Sequence, residues 1–170
     1  MKPSLQRSFP IVAAALGRKL GVRVEIHGDT ARTDGQCIQI PSIDIDTPAS
    51  RDIAWGYLAH EAAHLRWTDF DVFRKSATTP LRQALLNVAE DIRVERLMQV
   101  TYPGTRRSLE RTVERVLAEG GFELPSSNGH PVVWLQAYCL LEGRASLLGQ
   151  DILQPQAGKA RLALELSLIH

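Results

Sequence analysis

Cysteine, surplus charge and long apolar runs are all scarce in this chain of 170 residues, and each scarcity excludes a class of protein. Cys37 and Cys139 are the two cysteines, too few and too far apart for a disulfide framework, and they form no CxxC metal or redox motif. Twenty Lys and Arg face 19 Asp and Glu, leaving a net charge of +1. No bulk field therefore draws the chain to nucleic acid or to an acidic membrane surface. The apolar run Ile11–Leu16 falls well short of the ~18 residues of a membrane span. Pro10 before it and Arg18-Lys19 after it leave no full signal-peptide core, so a cytoplasmic location is expected. Repeats and low-complexity tracts are missing too. What is present is ordinary: 44% hydrophobic and 23% charged residues, in a length that suits one domain over 1–170.

The hydrophobic period predicts an α+β chain. Leu5, Phe9, Val12, Leu16 and Leu20 recur at helical spacing over 4–20, with Gly21 as the stop. Val22–His27 alternates like a strand, and Gly28-Asp29 and Asp34-Gly35 are turn signals before a second strand, Gln36–Ile40. A small antiparallel sheet is the expectation. A long helix should follow over 50–67, capped by Ser50 or Asp52, then helices over 80–100, 105–119, 132–148 and 156–168. The stretch 124–131 reads as a linker. Residues 1–70 thus carry a helix, the sheet and a long helix, and 71–170 are mainly helical.

The chemistry-bearing segment is His60-Glu61-Ala-Ala-His64, in the middle of that long helix. Histidines four apart lie one above the other on a single helix face. Both imidazoles can reach one zinc ion at ~2.0–2.1 Å, leaving tetrahedral positions open. Glu61, ~100° further round the helix, falls beside the ion rather than on it. There it is the candidate general base for a metal-bound water whose pKa the ion lowers towards ~7. A third ligand is required, and the next predicted helix offers Glu90, Asp91 and Glu95 among Leu, Val, Ile and Met. Asp91 is the preferred third ligand and Glu90 the alternative. Glu95, one turn beyond Asp91 on the same face, is the supporting acid.

Other features read more plainly. Arg107, Arg111 and Arg115 form a stripe best explained as a solvated helix face, so no nucleic-acid partner is expected. His130, Tyr57 and Tyr102 are further polar groups within conceivable reach of an oxyanion, each more simply a core or surface residue. Cys37 is most simply a packed small side chain.

HEAAHLRWTDF followed by NVAEDIRVERL resembles the zincin metallopeptidases in their gluzincin-like branch. More narrowly, the stretch 30–115 is similar to the metallopeptidase-like domains that precede von Willebrand A domains in bacterial and phage cobaltochelatase-subunit-like proteins. In thermolysin-like enzymes the ligand acid is backed by a second acid four residues on, as Asp91 is by Glu95. The resemblance implies a zincin-like fold and a zinc-dependent metallopeptidase, a hydrolase acting on a peptide or protein substrate with Glu61 as base. Its rival is a zincin-fold binding or regulatory module that holds zinc without efficient proteolysis, working with a von Willebrand A or ATPase partner. Since no Asp-x-Ser-x-Ser motif is present, the expectation leaves the chelatase role aside and keeps the peptidase part.

Overall fold

A computed structural model describes residues 4–122, 124–125 and 130–167, and for residues 4–6 the backbone only. The side chain of Leu5, the linker residues 126–129 and Leu168 lie outside the described residues. The architecture is α+β and mostly helical: α1 (Ser4–Gly17), β1 (Arg23–Ile26), β2 (Arg32–Thr33), β3 (Cys37–Ile40), α2 (Pro48–Trp67), α3 (Phe70–Ser76), α4 (Pro80–Thr101), α5 (Arg106–Ala118), α6 (Pro131–Leu148) and α7 (Gln154–Ser167). Among the described residues no helix is long and apolar enough to cross a membrane. The chain forms two compact units, Met1–Phe70 with Leu97–Val113, and Asp71–Arg96 with Glu114–His170.

In the first unit the sheet order is β1-β3-β2. β2 runs antiparallel to β3, but β1 runs parallel to it with Arg23 opposite Cys37. The sheet is therefore mixed, a correction to the antiparallel expectation. Its cause is the 27–36 segment, which reverses the chain twice, at Gly28 (φ 69°) and Gly35 (φ 91°), and so returns β3 in the direction of β1. Ile38 and Ile40 of the central strand are buried, and α1 and α2 pack in the same unit, with the Phe9 and Trp55 rings edge to face at 4.7 Å. Helix α1 stops at Gly17 instead of Gly21. A Cβ on Gly17 would lie 3.2 Å from that of Leu65, Arg18 turns left-handed at φ 50°, and Leu20, expected on the buried face, is 94% exposed.

Helix α2 begins earlier than expected. Thr47 is its N-cap, its Oγ1 accepting the Ser50 N–H at 3.1 Å, with Pro48 in the first turn where its missing donor costs nothing. Gly56 lets α5 approach: a Cβ there would stand 2.3 Å from the Ser108 carbonyl oxygen and 2.0 Å from Thr112 Oγ1. Thr112 Oγ1 also donates to the Ile53 carbonyl at 3.2 Å, and Arg107 pairs with Asp52 at 3.2 Å. At the other end of α2, Arg66 donates to Tyr102 Oη at 2.7 Å and lies over the rings of Trp67 and Tyr102.

The second unit is built on α6 and α7, which pack together, with Leu141 and Ala145 of α6 and Ala157 and Ala160 of α7 all buried. Val88 and Ile92 of α4 cluster with Leu148, Cys139 and Leu140 of α6. The approach is close at Gly143, where a Cβ would meet Ile92 Cδ1 at 2.5 Å. Helix α3 escaped the sequence reading because it buries none of its residues and so leaves no apolar period.

Candidate metal centre

His60, Glu61 and His64 stand in the C-terminal half of α2, whose flanking Leu58, Ala59, Ala62 and Ala63 are buried. Glu61 is itself buried, while both histidines are half-buried. The two imidazole centroids are 4.9 Å apart and the ring planes cross at 73°. Two imidazoles sharing one tetrahedral ion at ~2.0–2.1 Å have centroids about 5 Å apart, so the pair already stands at ligand spacing. His64 Nδ1 is 3.0 Å from Thr68 Oγ1. Thr68 also ends the helix, its backbone N–H donating to the His64 carbonyl at 2.9 Å.

Asp91 is half-buried on α4. One ligand atom from each of His60, His64 and Asp91 can be chosen so that all lie within 4.8 Å of one another, the donor group among the described residues that can hold a metal ion. Two imidazole nitrogens and one carboxylate oxygen suit a divalent first-row transition metal, zinc included. Glu90, the alternative third ligand, is absent from that group. Arg93 forks onto it, Nε to Oε2 and an Nη to Oε1, both at 2.7 Å.

Glu95 sits in a buried polar network of the second unit. The Arg144 guanidinium grips its carboxylate through both oxygens, at 2.8 and 2.9 Å. Arg144 Nε donates to Gln150 Oε1 at 2.9 Å, and Gln150 Nε2 reaches Glu95 Oε2 at 3.4 Å. Gly149, left-handed at φ 68°, turns the chain after α6 so that Gln150 folds back on Arg144. Sequence reasoning missed Arg144, Gln150 and Thr68. Arg144, the one Lys or Arg in the stretch 132–148, was the available signal, because a buried cation requires a buried acid.

The remaining candidates have structural duties. His130 caps α6, its Nδ1 accepting the Val132 N–H at 3.2 Å. The Tyr102 hydroxyl is held by Arg66, and Tyr57 is half-buried on α2. Burial, seconded by the Glu25 carboxylate, pushes the Cys37 thiol up, away from a thiolate ligand or nucleophile. In the arginine stripe, Arg107 pairs with Asp52 and Arg115 with Glu119 at 2.7 Å.

Fold and donor group together define an α+β protein with a two-histidine, one-carboxylate cluster. The chain belongs to the family described as cobalamin biosynthesis protein CobT, which matches residues 4–160. No curated protein and no solved structure matches it.

This membership corrects the expectation of a zincin metallopeptidase. The family is one of cobalamin biosynthesis, so hydrolase, metallopeptidase and protease are withdrawn as descriptions, along with the peptide substrate. The physical reason is that His-x-x-x-His spacing encodes the holding of a metal and not a reaction. Glu61 beside the pair is equally compatible with a buried acid that only tunes its surroundings.

Proposed function

We propose that this chain is a metal-holding domain serving cobalamin biosynthesis, with one divalent transition-metal ion, zinc, held by His60, His64 and Asp91. The observation that supports it is the donor group itself: three ligand atoms of the right chemistry within 4.8 Å, in a chain of the cobalamin biosynthesis family. The bound ion would supply a positive centre with imidazole and carboxylate donors. Three protein ligands leave a fourth position for water or a ligand from outside. The chain's own residues orient and exclude: α2 presents two imidazoles from one face, and the buried flank of Leu58, Ala59, Ala62 and Ala63 keeps water from that side. Glu61, a buried carboxylate next in the chain to His60, would stand near such an ion without being one of its three ligands. Partners of the von Willebrand A or ATPase type, and a cytoplasmic setting that keeps Cys37 and Cys139 as free thiols, belong to the same proposal.

Elemental analysis of chelator-stripped protein offered zinc and cobalt in equal amounts tests it. Wild type should take up about one ion per chain, with zinc preferred in line with the general affinity order. His60→Ala and Asp91→Ala should each abolish stoichiometric uptake, and Glu90→Ala should leave it intact. Wild type that binds neither metal refutes the proposal. A Glu90→Ala protein that loses metal while Asp91→Ala keeps it reverses the choice of third ligand. Preference for cobalt would identify the ion as cargo instead of a resident.

A further inference from the structure

We infer that Thr68 is a positioning residue for the metal centre, fixing His64 as the tautomer that carries its proton on Nδ1 and offers Nε2 as the ligand atom. The inference rests on the metal-holding reading above and adds a residue that no motif points to. A neutral imidazole has one N–H and one lone pair, and the nitrogen that binds a metal must present the lone pair. The other nitrogen then carries the proton, which needs an acceptor if the ring is not to swing. Thr68 Oγ1, 3.0 Å from His64 Nδ1, is such an acceptor.

The local fold explains why Thr68 can reach. Helix α2 ends at Trp67, and Thr68 leaves it in an extended conformation (φ −86°, ψ 125°). Its backbone N–H still closes the last helical turn on the His64 carbonyl at 2.9 Å. One residue therefore grips His64 twice, at its carbonyl and at its ring. The backbone bond fixes where Thr68 sits, and a half-buried hydroxyl four residues on meets the imidazole from below. A β-branched side chain has few χ1 choices, so the acceptor is held at low entropic cost. Thr68 thus gives His64 a neutral hydroxyl partner from its own helix end. A neutral hydroxyl raises ligand basicity less than a carboxylate does, which leaves the bound ion more electrophilic.

Two variants and two readouts test this. Thr68→Val keeps the branched shape and the backbone cap but removes the acceptor; Thr68→Ser keeps the acceptor. In metal-free protein at mildly alkaline pH, two-bond ¹⁵N–¹H correlation should show His64 protonated on Nδ1 in wild type and Thr68→Ser, and a shift towards the Nε2-protonated form in Thr68→Val. Zinc affinity should fall ~10–100-fold in Thr68→Val and stay near wild type in Thr68→Ser. A purely capping role would leave the tautomer alike in all three proteins. Nε2-protonated His64 in wild type, or Thr68→Val binding zinc as wild type does, overturns the inference. Wild type that takes up no metal refutes the metal-holding reading instead, and the tautomer spectrum still decides whether Thr68 fixes the ring.

Discussion

Replacing Arg144 by Met should be among the most destabilising single changes in the second unit. Arg144 and Glu95 are 8% and 3% exposed, and the guanidinium meets both carboxylate oxygens within 2.9 Å. With charge centres about 4 Å apart and an effective dielectric of ~20, the attraction is about 4 kcal/mol. Met retains most of the stem's packing, so the change mainly takes the guanidinium from the buried Glu95 carboxylate and leaves Gln150 Oε1 without its Arg144 donor. Breaking a buried pair from one side costs about 3–5 kcal/mol. For a chain of 170 residues that corresponds to a fall in Tm of roughly 6–20 °C. Thermal melts followed by circular dichroism measure it. Adding Glu95→Gln to Arg144→Met removes the buried charge and gives Gln150 an amide to pair with, so the double variant should recover half of the loss or more. An Arg144→Met protein that melts within 3 °C of wild type, on the order of 1 kcal/mol, would refute the reasoning. So would a double variant that melts below the single one.

Gly56→Ala places a methyl against the Ser108 carbonyl, a backbone atom that cannot rotate away. Separating α2 from α5 should cost about 1–3 kcal/mol, read as a lowered denaturant midpoint at unchanged slope; an unchanged midpoint would contradict the close approach. Asp34 holds the β2–β3 turn by accepting the N–H groups of Cys37 (2.7 Å) and Gln36 (2.8 Å), which keep its carboxyl below the ordinary 3.8. Because the folded value is the depressed one, this contribution is complete above pH 3.8 and lost as the pH falls through the lower folded value. Amide exchange at Gln36 and Cys37, corrected for intrinsic rate, should therefore stay constant down to pH 3.8 and quicken only below it.

Much of the helical layout was legible because punctuation and period agree. Pro80 opens a helix and Gly120 follows the end of another in a left-handed conformation, whereas Pro48 and Pro131, assigned to the neighbouring connections, in fact begin α2 and α6. The histidine pair was legible for the same reason, since helical spacing alone sets His60 above His64. What stayed hidden depends on partners far along the chain. The strand reading covered 22–27 and 36–40, but period-2 alternation carries no direction, so it could not show that β1 and β3 run parallel. Likewise Arg144 lies 49 positions beyond Glu95, and that distance left no local trace of the guanidinium that grips the carboxylate.

The motif misled at the passage from metal to reaction. In a chain with five histidines a shuffled sequence would show His-Glu-x-x-His roughly once in a hundred trials, so its presence needs the cluster around it before it means even a metal. Asp91 is the carboxylate whose oxygen can be chosen within 4.8 Å of one nitrogen of each histidine, which is what a candidate ion site requires. Hydrolysis demands more, namely a substrate carbonyl brought within reach of both the ion and the base, and four spaced residues say nothing of what approaches them. Helix geometry, and not peptide hydrolysis, is what brings the two histidines of His-Glu-x-x-His together, so the spacing is compatible with a protein that is no peptidase.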